Sequence, residues 1–178
     1  APEVGRRRWL PGVRGAGMKS YRMGPESRAA VEAARAQGLN LPEKPSEEMR
    51  DAMPKDLTEL DDVTLMGMYT EIIGWSDYLA VQHSFAQTDE RRIKRKLEFL
   101  EAKALIQAKS VASKVTDARL LVKDDPAIQD IHEKAASAEA YRKLVESLYN
   151  NCERDSALLS RELTRRTAGA DRGRRERF

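Results

Sequence analysis

Residues 62–113, DVTLMGMYTEIIGWSDYLAVQHSFAQTDERRIKRKLEFLEAKALIQAKSVAS, decide the fold. Within them Leu65, Tyr69, Ile72, Ser76, Leu79, His83, Ala86, Glu90, Ile93, Leu97, Leu100, Ala104, Gln107 and Val111 follow one another in steps of four and three without a slip. Such a seam belongs to one long helix that packs against others at a shallow angle. A second stripe, Met66, Ile73 and Ala80, widens the apolar face of its first half. Asp61 stands where an N-cap is needed. Some fifty residues at the helical rise span about 75 Å. Gly67 and Gly74 each weaken the first half by about 1 kcal/mol relative to alanine, and they allow either a close approach or a kink.

Beyond this helix, KVTDARLLVKD (residues 114–124) breaks the pattern, and Thr116 is placed to cap a short turn through Leu121. Asp125-Pro126 then starts a second helix: the carboxylate takes free amides, and proline at the first position lacks the amide that would go unpaired. Its seam is Ile128, Ile131, Ala135, Ala138, Arg142, Val145, Tyr149, Cys152, Ser156, Leu159 and Leu163, and Gly169 and Gly173 are expected to end it at about Thr167. Two long helices on a short connector predict an all-α, coiled-coil-like antiparallel hairpin over 61–167. A hairpin buries one stripe per helix, so it is expected to assemble with copies of itself or with partners. Tyr69, Ile72, Trp75, Leu79, His83, Tyr149 and Leu159 are the expected oligomer interface. The polar seam positions Ser76, His83, Glu90, Gln107 and Arg142 fit register-setting there, with Glu90 and Arg142 as partners across it.

On the N-terminal side, residues 1–25 read as an extended basic arm, because their prolines and glycines leave no room for a regular element. Arg6, Arg7, Arg8, Trp9, Leu10 and Tyr21 mark it as a segment that docks on a partner. Residues 26–60 read as short helices and linker. One helix begins at Pro25 and stops at Gly38; LNLPEKP (39–45) is a turn-rich link; Ser46 caps a short helical turn before Pro54. Residues 168–178 form a basic tail.

The chain has 178 residues, 34% charged and 6% aromatic, a balance that argues against an enzyme built around a deep pocket. Apolar residues still reach 40% with helical spacing, which excludes a wholly disordered chain. No run approaches the ~18 apolar residues of a membrane span. The first ten residues hold Arg6, Arg7 and Arg8 with no apolar stretch behind them, which argues against a secretory signal. One cysteine, Cys152, fits a reducing compartment and, with His83 and His132 as the two histidines, speaks against a metal site. Its place on the seam makes it a buried thiol, and the helix-start carboxylates are explained by capping. No catalytic group and no cofactor are expected. Gly12 to Ser20 superficially resembles a phosphate loop, but Met18 stands where the lysine must be and no strand precedes it.

Charge distribution says more than the net +3. Residues 1–28 carry a local +5 and residues 161–178 a local +4, leaving the middle at −6. Basic ends suit phosphate backbones or an acidic neighbour. The densest basic run, RRIKRK, contributes Arg91, Arg92, Lys94, Arg95 and Lys96, and the last turns add Arg161, Arg165 and Arg166. These eight are the candidate nucleic-acid contacts; the bland alternative is a solvated face balanced by Glu98 and Glu101, and a helix C-terminus complemented by arginines. Trp75, Tyr78 and Phe85 are packing residues by default and base-stacking residues only if exposed beside cations.

The layout of an aromatic-containing first helix (Tyr69 to Phe85), a basic, Leu-rich continuation (Arg91 to Ala108), the connector VTDARLLVKDDP and a second helix ending AYRKLVESLYNNCERDSALLSRELTRR resembles the phage recombination mediators of the UvsY kind. The resemblance covers roughly residues 60–167. It implies a non-enzymatic oligomer, ring-like, that binds single-stranded DNA and loads a recombinase in the infected bacterial host. A second reading is a virion component (head, neck or minor capsid) whose arm threads along neighbouring phage subunits and whose basic ends face the packaged genome. A third is a coiled-coil adaptor for a host protein.

Overall fold

The computed structural model describes residues 23–49, 53–112 and 114–175. These are all-helical, with four helices: α1 (Pro25–Ala36), α2 (Asp62–Val111), α3 (Val115–Lys123) and α4 (Pro126–Arg175). The arm residues Arg6, Arg7, Arg8, Trp9, Leu10 and Tyr21 lie outside the described residues. No helix among the described residues is long and apolar enough to cross a membrane.

The two long helices start where side-chain chemistry starts them. The Asp61 carboxylate accepts the Thr64 backbone N–H at 2.9 Å and the Thr64 hydroxyl at 2.6 Å. Asp125 accepts the Ala127 N–H at 2.8 Å, with Pro126 at the first position of α4. Such caps satisfy amides that the helix leaves without partners. Asp62 pairs with Arg166, Ser76 with Glu153, Glu90 with Arg142 and Glu101 with His132, so α4 runs back along α2.

Two apolar clusters sit in the lower half of this seam. Leu65, Met68 and Leu159 are buried together, with Met53, Leu57, Leu60 and Leu163 around them. Next along, Trp75, Leu79, Val145 and Cys152 are buried, with Met49, Ile72, Tyr78, Leu148 and Tyr149 packed against them. Trp75, Leu79 and Leu159 are therefore core residues of a single chain, not surface for another copy. The half-buried Ile72 packs on both clusters. Glu90 and Arg142 likewise meet within one chain. Further up, Ile128, Ile131, Ala135 and Ala138 of α4 are buried, and α3 seats Ala118.

Three local expectations are corrected. Residues 45–48 bend and form no helical turn. There Ser46 accepts the Trp75 indole N–H at 3.3 Å and donates to the Glu48 carbonyl at 2.9 Å, which ties the linker to α2 instead of capping a helix. The connector forms a fuller helix than the expected turn, Val115–Lys123, with Thr116 inside it. Finally, α4 passes through Gly169 and Gly173 to Arg175. Glycine weakens a helix but stops it only by turning left-handed. Gly38 does so with φ +76°, ending α1; the other described glycines do not.

Candidate nucleic-acid interface

Long helices distribute a basic run over every face, and the packing partners then decide which cations stay free. Lys94 stays exposed at the edge of the seam, where its ammonium lies 2.6 Å from Glu90 and 3.3 Å from Glu139 of α4. Burial pushes the Glu90 carboxyl up, but its bonds to Lys94 and Arg142 outweigh this and hold it below the usual range. Arg92 is half-buried, with Nε buried and unbonded among the described residues. Arg91, Arg95 and Lys96 are exposed and have no ion-pair partner among the described residues.

The same face continues upward. Lys103 is exposed, and between it and Arg95/Lys96 stands Phe99, 69% exposed. Arg95, Lys96 and Lys103 are four before, three before and four after Phe99, the spacings that make neighbours on a helix surface. Ile106, 72% exposed, follows one heptad after Phe99. Of the acids expected to balance this run, exposed Glu98 stands three residues after Arg95, beside the face, while Glu101 is engaged elsewhere. Glu101 holds the exposed His132 of α4 at 2.9 Å. Glu98 lines a hollow against α3 with Arg119 and Lys123. The result is an exposed aromatic ring among cations with no ion-pair partner among the described residues, an arrangement of the kind that single-stranded nucleic acid can stack on.

The terminal arginines divide differently. Arg166 is a clamp: its guanidinium donates to Glu162 at 2.8 Å, to Asp62 at 2.6 Å and to the Leu57 carbonyl at 2.9 Å, joining α4, the start of α2 and the linker. Arg166 and Lys94 thus have carboxylate partners within the chain, which Arg95 and Lys96 lack among the described residues. Arg165 forks onto Glu162 at 2.7 Å while staying largely exposed. Arg165 and Arg166 together hold the Glu162 carboxyl down at about 2. Arg161 is exposed and unpaired among the described residues. It is nearly level with Leu65, against which Leu159 packs, and Arg95 lies thirty residues further along α2. That is about 45 Å at the helical rise, so the two basic clusters are not brought together.

Of the aromatics singled out from the sequence, Trp75 is buried with Tyr78 edge-on at 5.9 Å, and Phe85 is half-buried beside α1. Phe99 was not singled out. The signal for it was an aromatic off the seam, one helical turn from three cations. Tyr69, His83 and Tyr149 remain half-buried at the seam's edge, and His83 Nε2 is buried without a hydrogen-bond partner among the described residues. Cys152 borders a cavity of about 20 Å³, room for one water at most, and burial pushes its thiol up. No group of three or more His, Cys, Asp or Glu side chains is arranged to hold a metal among the described residues.

Fold and site define an all-helical protein built on two long packed helices with a basic, aromatic outer face. Comparison with known protein families, curated proteins and solved structures found no match.

Proposed function

We propose that the chain is a non-enzymatic, oligomeric accessory of DNA transactions that holds single-stranded DNA on the outer face of α2, as the phage recombination mediators it resembles do. The observation that carries this reading is Phe99, exposed beside Arg95, Lys96 and Lys103, none of which has an ion-pair partner among the described residues. Cations track the phosphates and the ring stacks a base, a pairing that tolerates any sequence. Self-assembly of the hairpin uses the other side of α2. There Met66 and Ile73 are exposed in the stripe that Ala80 continues, beside half-buried Tyr69 and His83. Apolar surface of this kind favours association with a second copy.

The test is binding of the purified chain to oligo-dT, titrated against salt, with the mass in solution measured alongside. A multimer that binds tightly at low salt and weakens steeply is expected. The Arg95→Glu, Lys96→Glu variant should lose about tenfold or more in affinity at unchanged mass. Absence of binding at low salt overturns the reading and turns attention to assembled particles, where a virion component would be found.

A further inference from the structure

The hydrogen bonds that tie the start of α1 to α2 converge on one carboxylate. The Gly24 N–H donates to Asp89 Oδ2 at 2.8 Å, and the Ser27 hydroxyl donates to Asp89 Oδ1 at 3.2 Å. Asp89 is 3% exposed and Ser27 1%. Past this first turn the two helices do not close on each other. Met23 and Val31, Leu39 beyond the end of α1, and Val81 and Phe85 of α2 line a hollow of about 320 Å³. Ser27 is the one buried residue of α1, and Gly38, at φ +76°, turns the chain at its far end. A helix with so little buried apolar surface opens more readily than the body that carries it. No residue of α1 belongs to either apolar cluster of the seam, so α1 can lift without disturbing them.

What α1 covers is Phe85. Phe85, Arg92 and Phe99 follow at seven-residue intervals and share one row of α2, which drifts only about 40° over that length. Phe85 is half-buried at the lower end of the row, and Phe99 is exposed about 21 Å above it. The exposed cations Arg95 and Lys96 stand between the two rings along the helix. With α1 lifted, the row presents a second ring to the same strand, and successive bases of one strand stack on aromatic rings set along a basic track. Asp89 does not spoil this. It stands three residues before Arg92, an ion-pair spacing on a helix, and Arg92 Nε is buried without a hydrogen-bond partner among the described residues. The carboxylate that α1 gives up has a cation to turn to, and what opening adds is an aromatic ring.

We propose that α1 is a strap closed over a second base-stacking subsite at Phe85, and that releasing its Asp89 latch lengthens the single-strand site from Phe99 down to Phe85, an inference that rests on strand binding by the Phe99 face. Asp89, Gly24 and Ser27 are then positioning residues: they decide whether Phe85 is covered and touch no base.

The experiment opens the strap in the full-length chain and asks whether Phe85 then binds. Gly24→Ala does so without changing a charge, because the added Cβ would stand 2.1 Å from Asp89 Oδ1. Asp89→Ala removes the acceptor itself, and it decides the matter if the carboxylate gives way to that methyl group. Hydrogen exchange over residues 25–36 should rise in both, at a nearly unchanged melting temperature. Binding to an oligo-dT long enough to reach both rings should tighten about fivefold or more, the worth of one stacked base. Phe85→Ala should leave binding by the otherwise wild-type chain nearly unchanged and cancel the gain of Gly24→Ala. In the Asp89→Ala chain it should leave only the part that the lost charge contributes. Exchange that stays at the wild-type level in both variants overturns the latch. A strap that opens with no gain in affinity, or a Gly24→Ala gain that survives Phe85→Ala, overturns the subsite, and the Phe99 face then stands alone. If neither wild type nor the opened chains bind the strand, both readings fall together.

Discussion

Arg142 Nε of α4 donates to Glu90 Oε2 of α2 at 2.5 Å, inside a seam where Glu90 is only 7% exposed. Glu90 also holds Lys94, and Arg142 also holds Glu146 at 2.5 Å, so a charged layer interrupts the apolar stack. A buried charge is most costly when its partner is taken away, less so when both are replaced. Arg142→Met should therefore destabilise the protein more than the double variant Glu90→Leu, Arg142→Met. Urea unfolding midpoints decide it; a double variant weaker than the single one contradicts the layer as drawn.

Neighbouring leucines on α4 give a sharp contrast. Leu159 is 0% exposed in the cluster with Leu65 and Met68, while Leu158 is 42% exposed. Leu159→Ala removes buried methyl groups and leaves a void, so a loss of about 3 kcal/mol is expected. Leu158→Ala should stay within about 0.5 kcal/mol. Denaturant unfolding of both variants checks the helix rotation, and equal losses would contradict it.

Two helical glycines answer oppositely to alanine. A Cβ on Gly67 meets nothing within 4 Å, so Gly67→Ala should gain up to about 1 kcal/mol of helix preference. A Cβ on Gly74 would come 2.9 Å from Pro45 Cγ, where the linker crosses α2. Gly74→Ala should show no such gain, and thermal melts of the pair would reveal whether the linker truly lies there.

Much of this architecture is legible in the residues. Asp61 and Asp125-Pro126 mark helix starts because an acid before a periodic run caps amides, and both do so. Every seam position of α4 is buried or half-buried, and on α2 only Gln107 and Val111 are exposed. Periodicity cannot say what fills a seam, however. The stripe of Trp75 and Leu79 suits a second copy as well as the chain's own α4, and only the return of α4 decides. The basic run is ambiguous for the same reason: Lys94 is paired with Glu139, forty-five residues away. Phe99 escapes a reading that follows the seam, because it lies off the seam and is largely exposed.

Glu162 ties the end of α4 to acidity. Its bonds to Arg165 and Arg166 lower its carboxyl from the ordinary 4.5 to about 2. A carboxyl depressed by folding contributes stability above its unfolded value, and that contribution is lost as pH falls through the folded one. The window is therefore about pH 5 down to pH 2. Glu162→Gln should lower the melting temperature at pH 7, and its difference from wild type should shrink steadily across that window. Other carboxyls titrate in both proteins, so the difference isolates this one; a gap independent of pH would show that the two arginines do not hold it.

Phe99→Ala separates stacking from charge. The ring is largely exposed, so its loss should leave the melting temperature nearly unchanged. Base–aromatic stacking is worth about 1–3 kcal/mol, which converts to roughly 5- to 150-fold weaker oligo-dT binding. The salt slope should not move, because no cation is removed. Lys96→Gln should do the reverse, with a modest loss of affinity and a slope shallower by about 0.7. The two variants measured side by side read out the two physical parts of the face independently. A Phe99→Ala chain that binds like wild type while Lys96→Gln weakens binding would mean that phosphates alone are held there and that no base stacks on the ring.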